Sequence, residues 1–454
     1  MFDKGFVWGT ATSAYQIEGG VFEDGKGLSV WDIACQKENV IRNADNGDIA
    51  CDHYHRLEAD LDLLAELKVK AYRFSISWTR IFPDGIGAVN QKGVDFYDRL
   101  VDGLLKRGIR PFITLFHWDY PQALFEKGGW LNEDSPKWFA EYAGFVAERY
   151  SDRVKDFITL NEPQCALNLG HRMGIHAPLM RYGDVEMARA AYHMLKAHGL
   201  AVRKMRAVAK EPIRIAISIV GNAKVPFSPS VEDVSAARNA TFSLKEKESS
   251  DVFWMDIIYK GIVPNVENKN AFCALLQEGD LQLFSEQLDY FCVNMYASDF
   301  IKTAKNGYQI IPKKQGGAIN SLRWNIVPEV LYWGTKFYYE RYKMPIIISE
   351  NGYCGYDFKT LNGDVLDFER MNFIQQYLLQ LGRAKKEKIE IAGYFYWSFM
   401  DNFEWSHGYD ERFGLVYVDY QTQERTIKAS GKYYRKIVET NGRSLSEDIK
   451  FFNR

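Results

Sequence analysis

No two cysteines in this sequence of 454 residues are spaced C-x-x-C. The six present, Cys35, Cys51, Cys165, Cys273, Cys292 and Cys354, are scattered without framework spacing, so they read as free, mostly buried thiols in a reducing compartment. Net charge is also lacking: at −2 there is no field to draw in a polyanion and no basic stripe to grip one, so no nucleic-acid partner is expected. The N-terminal stretch MFDKGFVWGTATSAYQ has neither the basic region nor the apolar region of a secretion signal. No run of about 18 apolar residues occurs anywhere. The expectation is a soluble, cytoplasmic chain with no membrane partner. Neither G-x-G-x-x-G nor G-x-x-x-x-G-K-[ST] is present, which argues against an open doubly wound nucleotide-binding sheet. No linker, repeat or low-complexity segment divides the chain, so residues 1–454 are expected to form a single domain.

What is present is a large potential core and many rings. Hydrophobic residues make up 46% and charged residues 26%, an ordinary globular balance. Aromatics reach 15%, with 11 Trp and 27 Tyr; such faces line pockets and pack against the C–H faces of sugars, although large cores use them too. Short β-branched or aromatic runs alternate with longer segments of helical period. Eight such runs are found, at Gly5–Gly9, Ala71–Ser77, Pro111–Phe116, Asp156–Leu160, Arg214–Val220, Tyr290–Asn294, Pro345–Ser349 and Ala392–Trp397. Helices with apolar stripes are expected at Tyr54–Lys68, Lys137–Tyr150 and Asp367–Lys385. Eight repeats predict an α/β fold, a closed (β/α)8 TIM barrel. Long connections, Ala11–His53, Gln164–Tyr182, Gly221–Ser250, Ala297–Ser321 and Asn351–Asp364, would build the active face.

Two glutamates end buried strands: Glu162 in ITLNEP and Glu350 in IIISENG. A lone glutamate at a strand end is commonly a helix cap or an ion-pair partner. A pair of them on one barrel face, beside the amides Asn161 and Asn351 and with no cofactor motif, matches the need of glycosidic cleavage for an acid and a second carboxylate.

The segments FVWGTATSAYQIEG, RFSISWTRIFPDG, FHWDYPQAL, TLNEP, ISENG and YWSFMDNFEWSHGYDERFGLVYVDY, in that order, resemble the motifs of glycoside hydrolase family 1, the β-glucosidase family, from the first residues to about Tyr434. The resemblance implies a retaining β-glycosidase independent of metal and cofactor, acting on small β-glycosides of glucose or of related sugars such as fucose and galactose. By position, Glu162 would be the acid/base and Glu350 the nucleophile, with Arg73 and Tyr296 holding the nucleophile's carboxylate. Gln16, His117, Asn161, Asn294 and Glu404 would meet the sugar's hydroxyls, with Trp397 and Trp405 as platform and wall. Glu404 would repel a 6-phosphate, and phospho-sugar branches typically carry Ser there with Lys and Tyr seven and nine residues on, where this chain has Glu411 and Phe413. Kept beside the hydrolase are transglycosylation through the same intermediate, a 6-phospho-β-glycosidase and a sugar-binding homologue without catalysis. Whether copies associate into a homo-oligomer is left open.

The chain departs from the family pattern at Gln164, where many members have Trp, at His171 in place of Tyr, and at Leu179 after Ala177-Pro178. These positions are expected near the mouth, where the leaving group sits. Cys51, His53 and His55 alternate as metal ligands could, but no fourth ligand follows, so a capped helix start is expected instead. The basic run from Arg383 to Lys388 reads as a solvated helix end.

Overall fold

A computed structural model describes residues 2–243, 249–264 and 269–449. Eight parallel strands close into a barrel: β1 (Val7–Ala11), β2 (Ala71–Ser75), β3 (Arg110–Phe116), β4 (Asp156–Asn161), β5 (Arg214–Val220), β6 (Phe291–Asn294), β7 (Ile346–Asn351) and β8 (Ile391–Trp397). Closure comes from β1 lying beside β8, Val7 opposite Gly393 through Ala11 opposite Trp397. Every strand contributes to a core cluster separate from the main one, Ala11, Ala71, Phe112, Ile158, Ala216, Cys292 and Ile347 from the first seven and Phe395 with Trp397 from the last. Small and large side chains alternate so that rings fit: a Cβ on Gly9 would lie 2.4 Å from the Phe395 ring, too close for any other residue there. The larger core lies between strands and helices. Leu57, Leu61 and Leu64 of the helix His53–Glu66 are buried in it at the predicted three- and four-residue spacing.

The other expected helices are observed as Ser135–Tyr150 and Phe368–Lys386. The first strand lies two residues later than expected, because Lys4 and Gly5 form a turn and Phe2 and Phe6 pack with Trp8 into an aromatic cluster below the strand. Several connections are more ordered than loops. Within Gly221–Ser250, of which 244–248 lie outside the described residues, runs the helix Val231–Thr241. Within Ala297–Ser321, Phe300–Ala304 and Gly307–Ile311 form a hairpin around the turn Lys305–Asn306, paired in turn with Val225–Pro226. The adjoining Asn306-Gly307 is a hairpin signal in the sequence, and the three strands brace the connections after β5 and β6 against each other.

No capped helix start exists at residues 51–55. Asp52 occupies the N-cap position, but its side chain bonds His55 Nδ1 (2.6 Å) and Arg56 Nε (3.0 Å) rather than the backbone. His53 pairs with Asp60 at 2.8 Å, and the Cys51 thiol faces the carbonyl of Asp401, so the three candidate ligands diverge. The basic run does close a helix: Lys385 and Lys386 lie in its last turn, and Arg383 lies 3.6 Å above the Tyr332 ring.

Candidate active site

The local register of β4 and β7 aims their last residues. A register shift falls between Ile158 and Asn161 against β5, and another between Ile348 and Glu350 against β6. Each inserts an extra residue that bends the strand end and redirects its side chains. Glu162 follows in the left-handed region (φ 45°, ψ 59°), with Pro163 opening the helix Pro163–Leu167. For a residue with a Cβ this backbone costs about 1–2 kcal/mol. Its amide is held by the carbonyl of Ser218 on β5 at 2.7 Å, and its side chain makes no cap to the helix it precedes. The carboxylate therefore points over the barrel instead of into the helix.

Glu350 is held from both sides. Arg73 Nη1 donates to Oε1 at 2.5 Å and the Tyr296 hydroxyl to Oε2 at 2.7 Å. Arg73, from β2, also donates to Asn161 Oδ1 at 2.6 Å and Thr114 Oγ1 at 3.1 Å. Glu162 has a weaker setting: Asn294 Nδ2 donates to its Oε1 at 2.7 Å. Asn294 is itself fixed by the hydroxyls of Ser218 (2.8 Å) and Ser349 (2.7 Å) on its Oδ1. Burial, then the charge of Glu350, pushes the Glu162 carboxyl up to about 7, so it holds a proton near neutrality. The same burial and both carboxylates raise the Tyr296 phenol well above its ordinary value, keeping it a donor.

Around the two carboxylates opens a cavity of about 370 Å³, bordered by His117, Asn161, Tyr296, Trp397, Glu404 and Trp405 among others. Arg73 and Asn294 stand behind the carboxylates they touch. His117 stacks on Trp397 (5.7 Å) and Trp405 (6.0 Å). Burial and Arg73 push its imidazole well below the ordinary range, and it is neutral. Because Asn161 Nδ2 meets its Nε2 at 3.1 Å, that nitrogen accepts and the proton sits on Nδ1, a buried donor with no protein partner. Glu404 Oε2 is equally enclosed and unpartnered. Burial, then Glu350, Glu411 and Glu162, raises this carboxyl to about 8. Unsatisfied groups of this kind are costly unless a ligand completes them.

Gln16, expected to meet the sugar, lies beside the segment that carries Glu404. It is fully buried, its amide donates to Asn402 Oδ1 (2.9 Å) and the carbonyl of Phe403 (2.7 Å), and its Oε1 accepts from Ser13 (2.6 Å). It does not border the cavity but holds the segment that presents Glu404. Gln164 and His171 also do not border the cavity. Gln164 is buried and donates to the carbonyl of Val220 at 3.1 Å. His171 faces the carbonyl of Ala166 (3.1 Å) and packs on Tyr182. Both turn away from the mouth, because a helical turn opened at Pro163 carries Cys165 and Leu169 to the cavity instead. Of the remaining wall, Trp118, Ser406 and His407 adjoin predicted residues in the sequence. Val220 ends the predicted strand β5, whereas Ile175, His176, Leu322 and Trp324 come from connections in which no local pattern marks them.

The sequence model of glycosyl hydrolase family 1 matches residues 1–443. Beta-glucosidase A of Thermotoga maritima is 41% identical, over 97% of this chain and 98% of that protein. A 1,4-beta-D-glucan glucohydrolase of Thermotoga neapolitana is 39% identical, over 97% of this chain and 99% of its own length. The solved beta-glucosidase from Thermotoga maritima in complex with glucoimidazole superposes with a TM-score of 0.87 at 40% identity, covering 97% of this chain and 99% of that one.

Proposed function

The chain belongs to glycosyl hydrolase family 1, and from that premise we propose that it is a retaining β-glycosidase of the β-glucosidase type in which Glu350 is the nucleophile and Glu162 the acid/base. In the first step a Glu350 oxygen bonds the anomeric carbon as the bond to the leaving oxygen breaks, and the Glu162 proton passes to that oxygen. The sugar is then esterified to Glu350. With that negative charge gone, the Glu162 carboxylate is easier to keep ionised. It takes a proton from water, whose oxygen attacks the same carbon and frees Glu350. Two inversions return the original configuration. A separation of roughly 5–5.5 Å between the two carboxyl groups is what this route requires.

The observation that carries the reading is the contrast between the two carboxyls: one doubly bonded by Arg73 and Tyr296, the other pushed up to about 7. His117, Asn161, Glu404, Trp397 and Trp405 make up the sugar side in this reading, with the unpartnered His117 Nδ1 and Glu404 Oε2 meeting hydroxyls of an uncharged sugar. A dianionic 6-phosphate would face Glu404, and among the described residues no lysine or arginine borders the cavity. The six free cysteines support a reducing, cytoplasmic setting, and the chain is read as one catalytic domain. Among the described residues no helix is long and apolar enough to cross a membrane.

Turnover of aryl β-glucoside, galactoside, fucoside, xyloside and 6-phosphoglucoside tests the assignment. Cleavage of one or more neutral glycosides, abolished in Glu350→Gln, is the expected result. Faster cleavage of the 6-phosphoglucoside than of the glucoside would overturn the sugar assignment, and silence on every neutral glycoside by the folded protein would overturn the catalytic one.

A further inference from the structure

A loop that completes the sugar side of the cavity has its two ends tied to each other. Asp401, four residues past the end of β8, pairs with Arg412, whose Nη1 donates to Oδ2 at 2.7 Å. Between them Glu404, Trp405, Ser406 and His407 reach the cavity, and Phe413 follows directly. The loop carries one turn of helix, Trp405–His407, so its course depends on what holds its ends. Asp401 does not itself border the cavity. It is fully buried, and its Oδ1 accepts from Lys428 Nζ at 2.5 Å and from the Gly414 amide at 2.9 Å. A Cβ on Gly414 would fall 2.1 Å from the Asp401 amide nitrogen, so only glycine lets the two segments approach this closely.

That pair ends a chain of alternating charges in which each group bonds the next: Asp367, Arg370, Asp357, Lys428, Asp401 and Arg412. No side chain among them is more than 15% exposed. Asp357 comes from the connection after β7, the strand that carries Glu350, and Lys428 immediately precedes the helix Ala429–Glu439. Three carboxylates balance three cations. Such burial stabilises a fold little more than apolar packing of equal volume would, because desolvation offsets most of the attraction. What the bonds add is direction: each fixes its partner at one distance and angle, and loss of one leaves a buried charge unmatched.

We propose that Asp401 is a positioning residue for sugar recognition, clamped by Arg412 and anchored through Lys428 to the connection after β7, so that it holds the loop bringing Glu404 and Trp405 to the cavity; this rests on the glycosidase reading for the identity of the ligand. Without the charge on Asp401, Lys428 and Arg412 lose their common acceptor and repel each other, and the ends of the loop part. Glu404 and Trp405 then shift together. Glu162 and Glu350 keep Asn294, Arg73 and Tyr296, which lie outside the loop. Affinity for the sugar falls while the acid keeps its pH range.

Binding of methyl β-thioglucoside, measured by calorimetry on the intact protein, reads the loop without turnover. Asp401→Asn is expected to raise Kd about three- to thirtyfold, with the kcat/KM limb near pH 7 that belongs to Glu162 left in place. Arg412→Gln, at the less buried end of the pair, should act in the same direction. Asp256→Asn is the control: Asp256 is also buried and is bonded by Arg341 and Tyr342 of the helix Val330–Tyr342. It should cost stability but leave Kd within about twofold. Unchanged Kd in both loop variants, an equal loss of affinity in Asp256→Asn, or a displaced pH limb in Asp401→Asn would overturn the proposal. No binding by the unaltered protein would overturn the sugar reading and the proposal with it, whereas binding without cleavage of an activated aryl glucoside would overturn the catalytic reading alone.

Discussion

Two glutamates at the ends of β4 and β7 share one cavity, and they are held by different partners. Glu350 accepts from a guanidinium and a phenol, the guanidinium fixed by further bonds to the barrel. Glu162 accepts from a neutral amide and a thiol and is otherwise enclosed, with the charge of Glu350 nearby. Side-chain type decides neither role. Arg73 on β2 bonds one carboxyl directly, while burial and then the charge of that carboxyl push the other up to about 7.

Breaking the comparison at its nucleophile should have the largest effect. Glu350→Gln is expected to lower turnover of an aryl β-glucoside by more than about ten-thousandfold, measured as kcat with folding checked by circular dichroism. Glu162→Gln should cost about a hundred- to ten-thousandfold on alkyl glycosides, but far less on formation of the glycosyl-enzyme from a dinitrophenyl glycoside, whose leaving oxygen needs no proton. Equal losses on both would remove Glu162 from the role. Tyr296→Phe takes one of two donors from Glu350. A hydrogen bond to a charged group is worth about 1.5–3 kcal/mol, so kcat/KM should drop about ten- to a hundredfold, with Arg73 sustaining the remainder.

The pH dependence sharpens the same contrast. Glu162 must be protonated to act as acid, so kcat/KM should fall as pH rises through about 7, and this limb should disappear in Glu162→Gln. Stability follows with a definite sign. The folded chain holds Glu162 and Glu404 neutral up to about 7 and about 8, while in the unfolded chain both ionise near their ordinary value. Their contribution is therefore fully present below that value and is lost as pH rises through the folded values. Each group sets a slope of at most about 1.4 kcal/mol per pH unit. Glu404→Gln should make the urea midpoint less sensitive to pH between 5 and 8.

The barrel was legible because parallel strands buried on both faces read as near-continuous apolar runs, as in Pro345–Ser349 and Arg214–Val220. β1 was less so: Phe6 and Trp8 suit a strand, yet aromatic packing at Phe2 moved its start. The positions of Glu162 and Glu350 were readable from their motifs, but not the left-handed turn that aims Glu162 away from its helix, since only backbone geometry carries it. Gln164 and His171 illustrate the reverse limit. Departures from a motif look like specificity changes, but helical phase after Pro163 turns both inward and brings Cys165 and Leu169 to the cavity. Residues such as Ile175 and Trp324 reach the mouth through irregular connections, where no period links sequence position to direction.

The central claim is that Glu350 becomes covalently bonded to the sugar. Incubating the protein with dinitrophenyl 2-deoxy-2-fluoro-β-glucoside, which forms the ester faster than it can be hydrolysed, and mapping the added mass by peptide sequencing tests it directly. The account predicts one sugar mass, carried by the peptide at Glu350 and absent from Glu350→Gln. A label on any other residue, or release of dinitrophenolate into inverted sugar product with no label at all, would contradict it.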